Sequence, residues 1–426
     1  MNQPQIHPFG IDHIFEVGRD TLDNGVPVFL IPLEDTRVVM IEFFFHGSKW
    51  HQQRTLQAYF SSRLMSASTE DYDADHLAEI IDYNGATIYT RTGFFGTTIS
   101  LVCLSKKLRD MMPVIRSIIT NPTYDQRRFS TAISMARQDA KIRLTDVEAV
   151  CNYDFLDALY GKHHPSTSWA EIEDYDTLTP SDLKAFHDKY VCSSDCQIWI
   201  TGEISDDVHQ LVNDYFGKSA WGKNQYIFEY SQWPVVEPSA EKHLYKPMEG
   251  VQSAICVGKL LPRWDHPDFT KLTVATTMLG GYFGSRLMTN IREKKGLTYG
   301  IQASLSQTLS ETALVISTST ANEATEVVID EIYKEIRRMQ TERAGEEELE
   351  RVKNYMIGFA CRRHEPGLGV SKLLMTQLMK GFPIDHIVTE NNIVRQTTAD
   401  DIMEITNKYF DVETMTQCVV GNAKWS

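Results

Sequence analysis

The sequence repeats itself at a fixed distance, and this repeat constrains the fold more than any other feature. The segment TPSDLKAFHDKYVCSSDCQIWITGEI, which begins at Thr179, is matched by TADDIMEITNKYFDVETMTQCVVGNA, which begins at Thr398. Within the two segments Tyr190 aligns with Tyr409, 219 residues later. Self-similarity at a constant spacing indicates duplicated structural units. The chain is therefore predicted to contain two copies of one fold.

Each copy is predicted to mix strands with helices. An Asn-Gly turn signal lies between two apolar runs in TLDNGVPVFLIPLEDTRVVMIEFFF, which begins at Thr21, and this pattern favours a β-hairpin. A helical region follows from about Leu56, then two strands within 87–104, then amphipathic helices near 107–119 and 124–144. The order of elements is β, α, β, α.

These observations predict an α+β protein with two homologous domains. Each domain is expected to be an antiparallel-rich sheet with helices packed on one face. We place the first domain at 1–220, a linker bearing Trp and Pro at 221–245, and the second domain at 246–426. A length of 426 residues suits two domains better than one.

Charge and composition limit the partners and the location of the protein. The chain has 57 acidic and 42 basic residues, a formal net charge of -15, which argues against nucleic acid or an anionic membrane as a partner. No stretch approaches the ~18 apolar residues of a membrane span, and the N-terminus does not read as a signal peptide. Seven scattered cysteines are interpreted as buried free thiols. We therefore expect a soluble, cytoplasmic protein.

A glycine-rich segment of the second half, LGGYFGSRLMTNIREKKGLTYGIQASL at 279–305, is the most distinctive motif in the chain. It contains neither G-x-G-x-x-G nor G-x-x-x-x-G-K-[ST], so it does not predict a phosphate-binding loop. The duplicated halves, together with GG-x-x-x-SRL and REKKGLTYG in this segment, resemble the pitrilysin family of zinc peptidases, which includes insulin-degrading and mitochondrial processing peptidases. The stretches NGVPVFLIP and GKHHP match as well, and the resemblance covers the whole chain.

The resemblance assigns a catalytic position to LQAYFSSRLMSAST at 56–69. Active members carry H-x-x-E-H there, with two zinc-binding histidines and a Glu that acts as general base. In this sequence Tyr59 and Arg63 stand at the histidine positions, and Ser62 stands at the Glu position. The third ligand of the family is a Glu on a later helix, where Asp139 is the nearest candidate.

The chemistry of these side chains argues against zinc independently of the resemblance. A zinc ligand must offer a lone pair, whereas the Arg63 guanidinium stays protonated and has only donors. The Tyr59 phenol is a poor substitute for imidazole, and Asp139 is a single short carboxylate. We therefore predict no catalytic residue, metal or cofactor in this chain. The alternative for Tyr59 and Arg63 is ordinary packing and a surface charge.

The resemblance also implies a pair of substrate-binding residues in the second half. In the family an Arg and a Tyr hydrogen-bond the backbone of the bound peptide, and the matching residues here are Arg286 and Tyr299. Charged and phenolic donors can stabilise the negative charge that develops on a carbonyl oxygen during attack. The alternative is that Arg286 satisfies helix-end carbonyls and Tyr299 packs in the core.

Together these features predict a non-catalytic subunit of a heterodimeric pitrilysin-type peptidase. Its expected partner is a homologous zinc-bearing subunit, which would hold the metal, and the expected substrate is a peptide. A second hypothesis is a peptide-binding or scaffolding protein with no role in proteolysis. A third is a peptidase whose metal site has moved elsewhere in the chain.

Overall fold

Two β-sheets, one from each half of the chain, organise the fold. The structure is a computed structural model that describes residues 14–161, 164–167, 169–228 and 242–423. The strands are β1 (Gly18–Thr21), β2 (Pro27–Pro32), β3 (Val38–Phe45), β4 (Thr87–Thr92), β5 (Thr97–Leu104), β6 (Gln197–Gly202), β7 (His243–Pro247), β8 (Gln252–Leu261), β9 (Ile301–Gln307), β10 (Thr312–Ala321) and β11 (Thr416–Gly421).

Helices connect the strands in both halves. They are α1 (Gln57–Met65), α2 (Ala74–Tyr83), α3 (Leu108–Thr120), α4 (Gln126–Arg143), α5 (Val147–Tyr160), α6 (Asp174–Thr177), α7 (Pro180–Tyr190), α8 (Val208–Phe216), α9 (Phe269–Thr276), α10 (Thr325–Thr341), α11 (Glu346–Arg363), α12 (Val370–Met379), α13 (His386–Gln396) and α14 (Ala399–Tyr409). Two π-helical segments, Thr277–Gly281 and Met288–Lys294, lie between α9 and β9. None of the described helices is long and apolar enough to cross a membrane.

The two sheets share one strand order, which confirms the predicted α+β fold with two related halves. The first sheet runs β1-β2-β6-β3-β5-β4 and the second runs β7-β11-β8-β10-β9. If β1 is set aside, every strand of the first sheet has a counterpart at the same place in the second. Both sheets are mainly antiparallel, and each has one parallel pair, β2 with β6 and β7 with β11.

The repeat extends to individual residues at equivalent positions. Thr179 and Thr398 cap α7 and α14, and each forms a capping box with the aspartate three residues later. Gly202 and Gly421 end β6 and β11 with φ angles of 121° and 148°, a conformation that only glycine adopts without strain. A Cβ atom at Gly202 would also lie 2.1 Å from the carbonyl oxygen of Val38, so both the conformation and the space require glycine.

One face of each sheet packs on helices of its own half. In the first half, β3 directs Ile41 and Phe43 into a core with residues of α1, α3 and α8. In the second half, β8 directs Ile255 and Val257 into a core with residues of α9, α10 and α14. Burial of these alternating side chains is the main stabilising contribution in each half.

The other face of each sheet is covered by a helix from the opposite half. Helix α12 packs on the first sheet in a cluster that joins Val370, Leu374, Met375 and Met379 to Ile31, Phe44 and Trp199. Helix α5 packs on the second sheet in a cluster that joins Val150, Cys151, Phe155, Leu159 and Tyr160 to Ala254, Cys256, Ala313, Cys418 and Val420. The sequence predicted helices on one face of each sheet, and the structure adds this reciprocal exchange on the second face.

A buried carboxylate lies at the contact between α12 and the first sheet. Glu42 of β3 is inaccessible to solvent, and its oxygens accept hydrogen bonds from Ser100 of β5 and Ser371 of α12. Burial raises the pKa of Glu42 above its ordinary value of 4.5, and the two hydroxyl donors and Lys372 oppose this shift only in part. The contact between the halves therefore includes a group whose charged form is disfavoured.

Candidate functional site

Helix α1 places the two substituted zinc-ligand positions on one side of the helix and the substituted general-base position on another. Tyr59 and Arg63 are one turn apart, and the Arg63 Nη1 atom donates a hydrogen bond of 2.6 Å to the Tyr59 hydroxyl. Ser62 is buried, and its hydroxyl donates to the carbonyl oxygen of Tyr59 at 3.0 Å. Tyr59 and Arg63 thus form one polar pair, while Ser62 faces the protein interior.

A cavity of about 450 Å³ lies beside this pair and brings Asp139 of α4 to the same place. Tyr59, Arg63 and Asp139 line it, and Ser62 does not. Further lining residues are Lys49, Gln52 and Leu56 before α1, Ala136, Ala140, Arg143 and Leu144 of α4 and the following turn, Ala149, Asn152, Tyr153 and Leu156 of α5, and Thr167, Trp169, Ala170 and Tyr175. The structure therefore brings Tyr59, Arg63 and Asp139 together at one cavity and leaves Ser62 outside it.

These residues do not fit a zinc ion. Arg63 and Tyr59 offer a cation and a phenol, and Asp139 is the one carboxylate that lines the cavity. Across the described part of the chain, no group of three or more His, Cys, Asp or Glu residues is arranged to hold a metal. The hypothesis of a displaced metal site therefore has no support in these residues.

Two histidines close to α1 have structural roles. The His46 Nδ1 atom lies 2.7 Å from a carboxylate oxygen of Asp195, which itself is buried. His51 closes the capping box of a short 3₁₀ turn with Ser48, and burial together with His46 and Lys189 lowers the pKa of His51 to about 4. Both imidazoles therefore serve local packing and hydrogen bonding.

The second half places Arg286 and Tyr299 in very different environments. The Arg286 side chain is 11% exposed, and its Nε and Nη2 atoms donate to the two carboxylate oxygens of Glu348 at 2.7 and 2.8 Å. Glu348 lies in the first turn of α11, where a carboxylate also suits the helix dipole. Tyr299 is 94% exposed in the loop before β9. No hydrogen bond or ring contact in the described structure joins the two residues.

A second cavity, of about 690 Å³, adjoins the first. Its lining includes Gly280 and Gly281 of the π-helical segment and Gly300, the residue after Tyr299. A Cβ atom at Gly280 would come within 2.6 Å of the backbone nitrogen of Ala303, so this glycine allows the segment to pack directly on β9. Ala149 and Asn152 of α5 line both cavities. The substituted zinc site and the Tyr299 loop are therefore connected along the start of α5.

The position of α5 between the second sheet and the two cavities was not predicted from the sequence. The helix faces the second sheet with Cys151 and Phe155 and faces the two cavities with Ala149 and Asn152. The composition of α5 could have indicated this position. Its sequence, VEAVCNYDFLDALY, has apolar residues around most of the helix. A helix of this kind is expected to be covered on more than one side.

Comparisons with known proteins agree with the fold. The family described as peptidase M16 inactive domain matches residues 177–356. A Bacillus subtilis (strain 168) protein named uncharacterized zinc protease YmxG is 22% identical over 348 residues, covering 80% of this chain and 83% of that protein. A Helicobacter pylori protein named non-peptidase homolog YmxG is 20% identical over 374 residues, covering 85% of this chain and 84% of that protein.

Solved structures share the same fold over nearly the whole chain. The crystal structure of a peptidase M16 inactive domain from Pseudomonas fluorescens superposes with a TM-score of 0.85 at 16% identity, covering 97% of this chain and 99% of that chain. A protease from Helicobacter pylori superposes with a TM-score of 0.81 at 16% identity, covering 96% and 100%. The chain therefore has the fold of these solved structures, its residues 177–356 match the M16 inactive-domain family, and its own zinc-ligand positions are substituted.

Proposed function

We propose that this protein is the non-catalytic subunit of a heterodimeric M16 peptidase and presents Tyr299 to peptides held by a homologous zinc-bearing subunit. The observation that carries the proposal is the position of Tyr299. Its side chain is 94% exposed in a loop whose next residue, Gly300, lines a cavity between the two halves. A large side chain that is almost fully exposed to solvent is available to contact a ligand or a partner.

Arg286 has a less direct part in this proposal. Two of its guanidinium nitrogens are held by Glu348, and Nη1 is a buried atom without a hydrogen-bond partner among the described residues. Nη1 keeps its N–H groups, but its burial places it out of reach of a peptide in this conformation, so the proposal rests on Tyr299. All seven cysteines are free, which supports the cytoplasm, a reducing compartment, as the location of the assembly.

The test uses the complex with a homologous subunit that retains H-x-x-E-H, purified from the native cell by affinity capture of this chain. The substitution Tyr299→Phe removes only the phenolic donor. We expect kcat/KM for peptide hydrolysis to fall by about a hundredfold, because the loss of one oxyanion donor costs ~3 kcal/mol. Tyr83→Phe is the matched control, because Tyr83 is 81% exposed on α2 and lines neither cavity. Dimer mass is measured for each variant by light scattering.

A scaffolding or peptide-binding role without proteolysis is the second candidate. The bidentate pair of Arg286 with Glu348 favours it, because that arginine already has a structural partner. If Tyr299→Phe leaves turnover equal to that of Tyr83→Phe in an intact dimer, the subunit does not take part in catalysis and the scaffolding role is preferred. Arg286→Ala is less informative, since it would leave the Glu348 carboxylate without its partner.

A further inference from the structure

The cavity beside Tyr59 has an excess of positive charge within an acidic protein. Lys49, Arg63 and Arg143 line it, against the single carboxylate of Asp139. The whole chain carries a formal net charge of -15, so a local excess of cations does not follow from composition. Walls of low dielectric constant strengthen the field of such a cluster inside a cleft. The cavity therefore favours an anionic ligand.

Two of these cations have no carboxylate partner in the described structure. Arg63 donates to the Tyr59 hydroxyl, a neutral acceptor, which leaves that hydroxyl its own hydrogen to donate. Arg143 lies at the end of α4, four residues after Asp139, and makes no ion pair with any described residue, Asp139 included. Guanidinium groups match the planar geometry of a carboxylate and bind it with two parallel hydrogen bonds.

The size and continuation of the cavity indicate what carries the carboxylate. A volume of about 450 Å³ is within the range of small-ligand sites, and it holds a terminal residue rather than a folded domain. The second cavity, about 690 Å³, continues past Ala149 and Asn152 to Gly300 beside the Tyr299 loop. Together the two cavities provide room for a terminal residue and for the extended main chain that precedes it.

We propose that the substituted zinc site binds the C-terminal carboxylate of a peptide between Arg63 and Arg143. The peptide main chain then runs along the start of α5 into the second cavity, beside the Tyr299 loop. This inference rests on the proposed function in taking a peptide as the ligand. It adds the chemical group that the protein recognises and the residues that recognise it.

The experiment measures binding of one peptide in two forms to the isolated full-length chain. The probe is the fluorescein-labelled pentapeptide Gly-Ala-Gly-Ala-Phe, prepared as the free acid and as the C-terminal amide, and the readout is fluorescence anisotropy. We expect the acid to bind at least tenfold more tightly than the amide. Arg143→Gln is expected to remove about tenfold of this preference, and Lys141→Gln, an exposed lysine of the same helix that does not line the cavity, is expected to retain it.

A gain of affinity provides a test that a misfolded variant does not mimic. Asp139 is exposed and is the one acidic residue that lines the cavity, so its charge repels a bound carboxylate. Asp139→Asn is therefore expected to tighten binding of the acid by about two- to threefold and to leave binding of the amide unchanged. Raising the salt concentration should reduce this difference, since the charges are partly solvated.

Equal binding of acid and amide by the wild-type chain overturns the inference, and so does the absence of binding by both. A preference for the acid that survives both Arg63→Gln and Arg143→Gln places the carboxylate elsewhere and overturns it too. The proposed function is judged separately by turnover of the complex. If Tyr299→Phe lowers turnover while acid and amide bind alike, the carboxylate site fails and the subunit role stands.

Discussion

At the scale of single residues, Glu42 couples the two halves through a carboxyl group that water does not reach. It accepts hydrogen bonds from Ser100 of its own sheet and from Ser371 of α12, which belongs to the other half. Burial raises the pKa of Glu42, so the folded state prefers the protonated carboxyl. Its contribution to stability is fully present below the ordinary pKa of 4.5 and is lost as the pH rises through the higher pKa of the folded state.

Replacing Glu42→Gln should therefore stabilise the protein in a pH-dependent way. The amide keeps the size and an acceptor but carries no charge, so we expect it to unfold at a higher urea concentration than wild type at pH 8. The free-energy gain should be about 1–2 kcal/mol, the range for relieving an imperfectly compensated buried charged group. It should shrink toward zero at pH 4, below the ordinary carboxyl pKa of 4.5, because the raised pKa keeps wild type protonated there as well. Glu347→Gln, at a glutamate whose side chain is 94% exposed, is the control. A gain that is the same at both pH values would contradict this explanation.

At the candidate site, the chemistry of the side chains was predictable from sequence, whereas their contacts and directions were not. The identity of Tyr59 and Arg63 was enough to argue that zinc has no ligands there, because that argument depends on side-chain chemistry. The pairing of Arg286 with Glu348 was not predictable, since the two residues are 62 positions apart and no local pattern joins them. The inward direction of Ser62 likewise depends on how α1 is rotated against the core.

At the scale of elements, local patterns predicted most strands and helices close to their final bounds. The hairpin expected between the two apolar runs was wrong, because those runs are β2 and β3, which both pair with β6 and not with each other. The Asn-Gly turn instead joins β2 to the polar strand β1, and Gly25 in that turn has a φ of 90°. The strands expected within 87–104 are β4 and β5, and the helices expected near 107–119 and 124–144 are α3 and α4. These elements have strong periodicity, and their bounds depend little on distant contacts.

The packing of α5 and α12 on the sheet of the opposite half was not predicted, although the sequence of β3 indicates that its sheet is covered on both faces. Its sequence VVMIEFFF is apolar at nearly every position and does not alternate, and all but the first residue are buried. A continuous apolar run of this kind indicates a strand covered on both faces. It does not say which helix covers the second face, because that depends on the path of the chain between the halves.

The glycine that ends β6 gives a test of the fold at this scale. Gly202→Ala would place a Cβ atom 2.1 Å from the carbonyl oxygen of Val38 at a φ of 121°, so the strand end must shift. We expect a loss of at least 2–3 kcal/mol in the free energy of unfolding, measured by urea titration. Gly93→Ala is the matched control, because no atom lies within 4 Å of its Cβ position and its φ is not positive. Comparable losses for the two variants would contradict the close approach.

At the scale of the whole molecule, the helix exchange makes the stability of each half depend on the other. Phe155 of α5 is buried against the second sheet, and Leu374 of α12 is buried against the first. Each residue belongs to one half in sequence and stabilises the other half in space. The two halves are therefore expected to unfold together.

This expectation is tested by Phe155→Ala and Leu374→Ala, each measured by calorimetry and by urea titration. Each variant should lose about 3–5 kcal/mol through the cavity it leaves, and each should shift one common transition without splitting it. Ile142→Ala, at an isoleucine that is 58% exposed, should have little effect. Two transitions, with each variant shifting a different one, would show that the halves are independent.

The exchanged helices also explain why the fold does not depend on which residues stand at the zinc-ligand positions. A gene shortened to a single repeat would encode a sheet with one bare hydrophobic surface, and its product would be prone to aggregate. Both halves are therefore needed to cover the two sheets, whichever residues occupy the outer side of α1. Helix α1 keeps its place through Phe60 and Leu64 in the core, so its outer side is free to diverge toward new ligands.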